Sequence, residues 1–242
     1  MSGLEDLVAE GKRFLANDSF VDARETFRQV VSMVESDHGL QSKHLIEPLW
    51  YLSEAHSAHH QQPCSDVGAA IHELDRAIAI ADACSPRDEL WLERLLTRVG
   101  HLRAVNGLHE SAIDSVARAR SLVLHRTGDA RWQTRMLAEY LLHGAGKPEE
   151  ALVYARMLRL EEEGRGDTPT YVKFLLADCL RRATGQETEA RSLIEEILAR
   201  ESEPNTNDDD MKAIARGWLN EVDRRSPVVT KDPIEGAQAT RE

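Results

Sequence analysis

His56, His59 and His60 stand within one turn of a helical pattern, with Cys64 just beyond Pro63, and these side chains are of the type that holds metal. The HxxxH spacing of His56 and His60 puts two imidazoles on one helix face, where a divalent cation could bridge them. A metal-dependent hydrolase needs a third ligand and a glutamate inside that pair. Neither stands at a legible spacing, so the cluster reads as a polar helix end, and the expectation is no metal and no cofactor. Cys64, Cys84 and Cys179 are odd in number and lack CxxC spacing, which predicts free, buried thiols rather than a disulfide framework or a zinc site. Carboxylates such as Glu149, Glu150, Glu161, Glu162, Glu163, Glu195 and Glu196 fall in helix first turns or on faces expected to be solvated. No glycine-rich phosphate loop follows a strand pattern, and no nucleophile has an identifiable base and orienting group. The chain therefore reads as non-enzymatic.

Charge narrows the partners. Thirty basic against 42 acidic residues in a chain of 242 leave a net charge of −12, which argues against nucleic acid or an anionic membrane surface. The start MSGLEDLVAEG lacks a basic segment followed by an apolar run, and no stretch approaches the ~20 apolar residues that span a bilayer. A cytoplasmic protein is the expectation.

The elements that position these residues are legible from a repeated phrase. Gly107 to Ala112, Gly146 to Ala151 and Gly185 to Ala190 each place alanine five residues after glycine, with copies 39 residues apart. A period of this length marks stacked helical hairpins. Extending the alignment to Ala23 and Ala70 brings Phe27, Leu74, Val116, Ala155 and Ile194 into register four residues on, and Val30, Ala77, Ala119, Leu158 and Ile197 seven on. That is a buried helical stripe. Hairpins are predicted at about 4–35, 43–83, 88–125, 130–163 and 168–200, then an amphipathic helix at 211–224 carrying Met211, Ile214, Ala215, Trp218, Leu219 and Val222. It would cover the last apolar face of the array. The expected domain is 1–225, and 226–242, with two prolines and no periodicity, is expected to be a disordered tail. Trp50, Trp91, Trp132 and Tyr171 recur about twenty residues before the alanines, so the periodicity assigns them to packing between hairpins.

Paired helices with Gly-x4-Ala at the turn and large apolar residues four and seven further on resemble tetratricopeptide repeats. The longer units and connectors such as Gly166-Asp167-Thr168-Pro169 resemble the kinesin-light-chain variant with units of about 42 residues. Departures are Asn17 in place of the turn glycine in the first unit and no turn glycine in the second. The resemblance covers about 4–200 and implies an all-α, right-handed α-solenoid of about five hairpins with a C-terminal capping helix. It also implies that first helices line a concave groove, through positions eighteen, eleven and eight before each alanine. Those positions include Arg94, His101, Gln133, Tyr140, His143, Arg182 and His59, the candidate partner-binding residues, together with Leu52, Val172 and Cys179. The implied function is a scaffold, adaptor or chaperone-like subunit binding another protein's peptide or helix. Arg98, Arg135 and Arg181 nearby would suit an acidic segment. The Lys and Asn set of the co-chaperone carboxylate clamp is absent. A regulatory sensor for a short peptide or small molecule in the same groove is the alternative.

Overall fold

The computed structural model describes residues 2–57, 66–86, 88–166, 168–200 and 208–225. Among them every regular element is a helix. They form two compact units, Met1–Asp167 and Thr168–Glu242. The tail at 226–242, His59, His60 and Cys64 lie outside the described residues.

In the first unit α1 (Ser2–Ala16) pairs with α2 (Phe20–His38), and a single 3-10 turn, Lys43–Leu45, leads into α3 (Ile46–Ser57), which pairs with α4 (Val67–Ala83). The third pair is α5 (Glu89–Val105) with α6 (His109–Thr127). The fourth is α7 (Arg131–Glu139), continued by a π-helical turn at Tyr140–Gly144, with α8 (Pro148–Glu163). Each pair packs on the next, α2 on α3, α4 on α5 and α6 on α7.

The repeated glycines sit where the chain must turn left-handed. Gly107, Gly146 and Gly185 have φ of 77°, 64° and 73°, a region costly for any residue with a Cβ. In the first hairpin, which lacks the glycine, Asp18 takes up the turn at φ 57°. Ala23, Ala70, Ala112, Ala151 and Ala190 are all fully buried, as are the residues four and seven positions on, none more than 1% exposed. This recurring stripe is the core, and each hairpin completes its burial against its neighbours.

The closest approach within a hairpin falls opposite that alanine, at a glycine of the first helix. A Cβ on Gly100 would lie 2.6 Å from Val116 Cγ2 and 3.3 Å from the carbonyl oxygen of Ala112, and one on Gly11 would lie 2.7 Å from the Phe27 ring. Gly100→Ala should therefore destabilise the protein by roughly 1 kcal/mol, since the overpacking outweighs the helix-propensity gain. Adding Val116→Ala should cost less in the G100A background than in the wild type, because it removes the methyl that clashes. Strict additivity in denaturant titrations would place the glycine's role elsewhere.

Ion pairs knit neighbouring hairpins, Arg76 to Glu35, Arg98 to Glu54, Arg103 to Asp75, Arg118 to Asp82 and Lys147 to Glu110, and Arg126 to Glu93 ties the two helices of the third hairpin. One such set corrects the expectation of a solvated glutamate run. Glu162 is only 6% exposed, and both its oxygens accept from Arg131 Nη1 at 2.8 Å. The α7 start must be tied to the α8 end, and a carboxylate turned inward does it.

In the second unit α9 (Thr170–Arg182) and α10 (Glu187–Ala199) pair, and α11 (Asp208–Arg225) packs on both. Trp218 stacks on Phe174 with ring centroids 4.3 Å apart, and the Arg181 guanidinium lies 4.6 Å from the same indole while bonding Glu221. The buried face of α11 is not the purely apolar stripe expected from sequence. Lys212 is buried with Ala215 and Val222, whereas Ile214 is 49% exposed. The Lys212 ammonium donates to the Arg200 carbonyl just past the end of α10, where a cation satisfies an orphan acceptor and the helix dipole.

Candidate functional site

Asp88 starts α5 by accepting a hydrogen bond at 3.1 Å from the backbone N–H of Trp91. From that fixed start, Trp91, Arg94, Arg98 and His101 recur at helical spacing and share one face. Trp50 and Tyr51 on α3 and Trp132, Gln133 and Met136 on α7 complete the lining of an open groove of about 620 Å³. All of it lies in the first unit.

Three indoles from three successive hairpins therefore meet on this groove. Trp50 and Trp91 are edge to face with centroids 6.0 Å apart and pack in part against the core, so the packing role expected of them holds in part. Trp132 does not fit that role, because it is 59% exposed. The periodicity that assigned the tryptophans to packing holds equally for one groove residue per hairpin. A legible signal distinguished them: Trp91 precedes Arg94 by three residues and Arg98 by seven, so an inward-facing arginine carries the indole with it.

The groove's charges are mostly paired. Arg98 Nε lies 2.8 Å from Glu54 Oε1, and Arg98 also donates to Ser57 Oγ at 3.0 Å. Glu93 is held by Arg126, and Arg135, outside the lining but 5.8 Å from the Trp132 ring centroid, by Glu139 at 2.7 Å. Arg94 differs: its exposed guanidinium lies 5.7 Å from the Trp91 ring centroid and meets no carboxylate among the described residues. Such an arginine can take a carboxylate in bidentate fashion while remaining on the indole face.

Of the seven residues expected from sequence, Arg94, His101 and Gln133 line the groove together. Gln133 is largely buried, with Nε2 3.5 Å from Thr97 Oγ1, and forms floor rather than rim. His101 Nδ1 and the Tyr140 hydroxyl are 3.2 Å apart, a hydrogen bond whose direction follows the imidazole tautomer. Burial pushes the Tyr140 phenol up to about 12, so it keeps its proton at neutral pH. Tyr140 begins the π-helical turn, where Ala145 N–H donates to its carbonyl, a local widening often found near functional sites. His143, exposed on that turn, is not part of the lining. Arg182 belongs to the second unit and pairs there with Asp178 at 2.9 Å. His59 falls outside the described residues. Leu52, Val172 and Cys179, also expected to face inward, are core; burial raises the Cys179 thiol to about 12.

His56, the described member of the histidine cluster, is 6% exposed, and its Nδ1 is buried with no hydrogen-bond partner among the described residues. Burial, with Arg28 and Arg24 nearby, lowers its pKa and keeps the ring neutral. Among the described residues no group of three or more His, Cys, Asp or Glu side chains could hold a metal ion. No described helix is long and apolar enough to cross a membrane.

No protein-family model matches the sequence, and no curated protein matches it significantly. Solved structures do match in shape. A kinesin-light-chain-like protein of Podosopora anserina with nearly identical TPR-like repeats superposes with TM-score 0.64 at 18% identity, covering 89% of this chain and 97% of that one. A point variant of that protein gives 0.63 at 17% identity over 92% and 97%. The Rap conjugation gene regulator of plasmid pLS20, in complex with the Phr* peptide, aligns at 0.48 and 14% identity over 96% of this chain and 80% of its own. That score is too low to bear on the chain. Paired helices, a fully buried alanine in every hairpin and these superpositions together identify an all-α helical-repeat solenoid: the chain has the tetratricopeptide-like repeat fold of the kinesin-light-chain-like structures.

Proposed function

We propose that the groove of the first unit docks a segment of another protein, and that the chain works as a non-enzymatic scaffold, adaptor or chaperone-like subunit. The observation that carries this reading is Trp132, a large indole left mostly in water beside two more indoles and an arginine with no carboxylate partner among the described residues. The ring stands on an open surface, and aromatic residues and arginine dominate the energetics of protein interfaces. Stacking of the hairpins sets the groove before a partner arrives, so the ordering entropy falls on the partner. The chemistry of the lining is that of binding: cation, indole and amide surround the groove, while Arg98 is spent on an ion pair to the preceding hairpin and Glu93 on one within its own.

Selection of a random peptide library on the wild-type protein, with counter-selection on a W132A/R94A variant, tests this reading. Peptides whose binding depends on both residues are the expected result; failure to enrich any such peptide would overturn it. A second expectation concerns stability. Replacing Arg94, His101 and Tyr140 together should weaken binding of a selected peptide while leaving helicity by circular dichroism unchanged and the melting midpoint nearly so, because none of the three is fully buried. Collapse of the fold would assign these side chains to the core.

A further inference from the structure

The partner's backbone state can be narrowed from the donors the groove offers. Among the described residues none of the indole N–H groups of Trp50, Trp91 and Trp132 donates to a protein acceptor. A ligand that fills this groove thus meets three indoles, with Arg94 5.7 Å from the Trp91 ring centroid and Arg135 5.8 Å from that of Trp132, and three N–H donors that no described protein acceptor holds. An α-helical partner serves them poorly, because its carbonyls are spent on its own i to i−4 bonds except at its last turn. Strand addition has no template, since no strand edge exists among the described residues. A polyproline II segment has no internal hydrogen bonds and leaves every carbonyl outward. Its rings are flat and apolar enough to lie on indoles, and its stiffness removes most of the ordering cost of binding.

Charge adds one requirement. Arg98, Arg135 and Glu93 are already paired, so the one cation in the lining without a carboxylate partner among the described residues is Arg94. It stands on Trp91, in the middle hairpin of the three. A ligand with a single acidic residue flanked by prolines would place its carboxylate on Arg94 and its rings on the indoles to either side. A cationic ligand is disfavoured, because Arg94 already stands over Trp91 and Arg135 over Trp132.

We infer that the groove formed by Trp50, Trp91, Trp132 and Arg94 recognises a proline-rich segment in the polyproline II conformation that carries an acidic side chain. This inference rests on the reading of the groove as a docking site and specifies its ligand. The probes are a short synthetic proline-rich peptide with one central glutamate and its Glu→Gln form, together with a peptide in which the prolines are alanine and the glutamate remains. Each is titrated against the full chain by calorimetry and by tryptophan fluorescence. The proline-rich glutamate peptide should bind and quench indole emission, and loss of the prolines should weaken it by about tenfold or more. W132A should weaken it similarly. R94A should weaken it too, and the R94A and Glu→Gln losses should be non-additive, as expected of one ion pair.

Trp132 and Arg94 are both exposed, so these variants keep the fold, and circular dichroism verifies it. Equal affinity of the proline and alanine peptides, or binding indifferent to W132A, would overturn the inference. If the library selection yields Trp132- and Arg94-dependent peptides that lack proline or adopt helix on binding, the polyproline assignment falls while the docking reading stands. If it yields none, both fall.

Discussion

Arg131→Met should destabilise the first unit by roughly 2 to 3 kcal/mol, read as a drop in the urea midpoint at unchanged slope. The reason is the carboxylate left behind. Glu162 has a side chain only 7% exposed and receives both hydrogen bonds from Arg131 Nη1. Breaking one half of a fully buried pair costs ~3–5 kcal/mol, and the Arg131 side chain, 29% exposed, already has some water, which lowers the figure. Replacing both partners, Arg131→Met with Glu162→Met, should recover much of the loss, since no charge is then stranded. A double variant as weak as the single would mean that the pair matters through packing alone.

The same arginine sets an acid response. The hydrogen bonds and charge of Arg131 hold the Asp129 carboxyl down at about 2, with Arg165 adding attraction. A depressed folded pKa gives stability that is fully present above the unfolded value of ~3.9 and is lost as pH falls through about 2. In R131M the Asp129 carboxyl should rise towards its ordinary value, so this contribution should shrink. Stability measured between pH 5 and pH 2 should fall less steeply in the variant than in the wild type. Parallel curves would exclude Asp129 as the titrating group.

Ala151→Leu is the second large effect, a destabilisation of roughly 1 to 3 kcal/mol. Ala151 is fully buried near the start of α8, at the position where every hairpin of the chain places alanine. Three extra carbons there must push α8 away from α7 or force strained rotamers, because a close-packed interior has no void to receive them. Val153→Leu, two residues along the same helix and 57% exposed, should change stability by no more than about 0.5 kcal/mol. In a repeat array each hairpin leans on its neighbours, so the loss should lower the unfolding of the whole first unit rather than release α8 alone. An unaltered midpoint in A151L would show that this contact is looser than its burial implies.

Much of the fold was legible because it follows from local rules repeated along the chain. Glycine at positive φ, alanine five residues later and large apolar residues four and seven on are one hairpin written several times, and burial at Ala112, Ala151 and Ala190 follows directly. The groove was legible in part. Arg94, His101 and Gln133 were found by counting back from the alanine, because the helical period carries a position in one unit to the same face in the next. Leu52, Val172 and Cys179 were misplaced by that count, since a first helix has a neighbour on each side and register alone does not say how far either one covers it.

By itself, the sequence determined the helical period, the turns and which stripe of each hairpin is core, since these depend on residues a few positions apart. Tertiary structure alone decided which polar groups are paired within the fold and which stay exposed. Glu162 turned inward to Arg131, Lys212 closed the end of α10, Arg98 was taken by Glu54, and Arg94 was left on an indole without a carboxylate among the described residues. Each outcome depends on a side chain some twelve to 44 residues away or on the lack of one. Pairing across such distances is set by how hairpins stack, and no spacing within a helix encodes it.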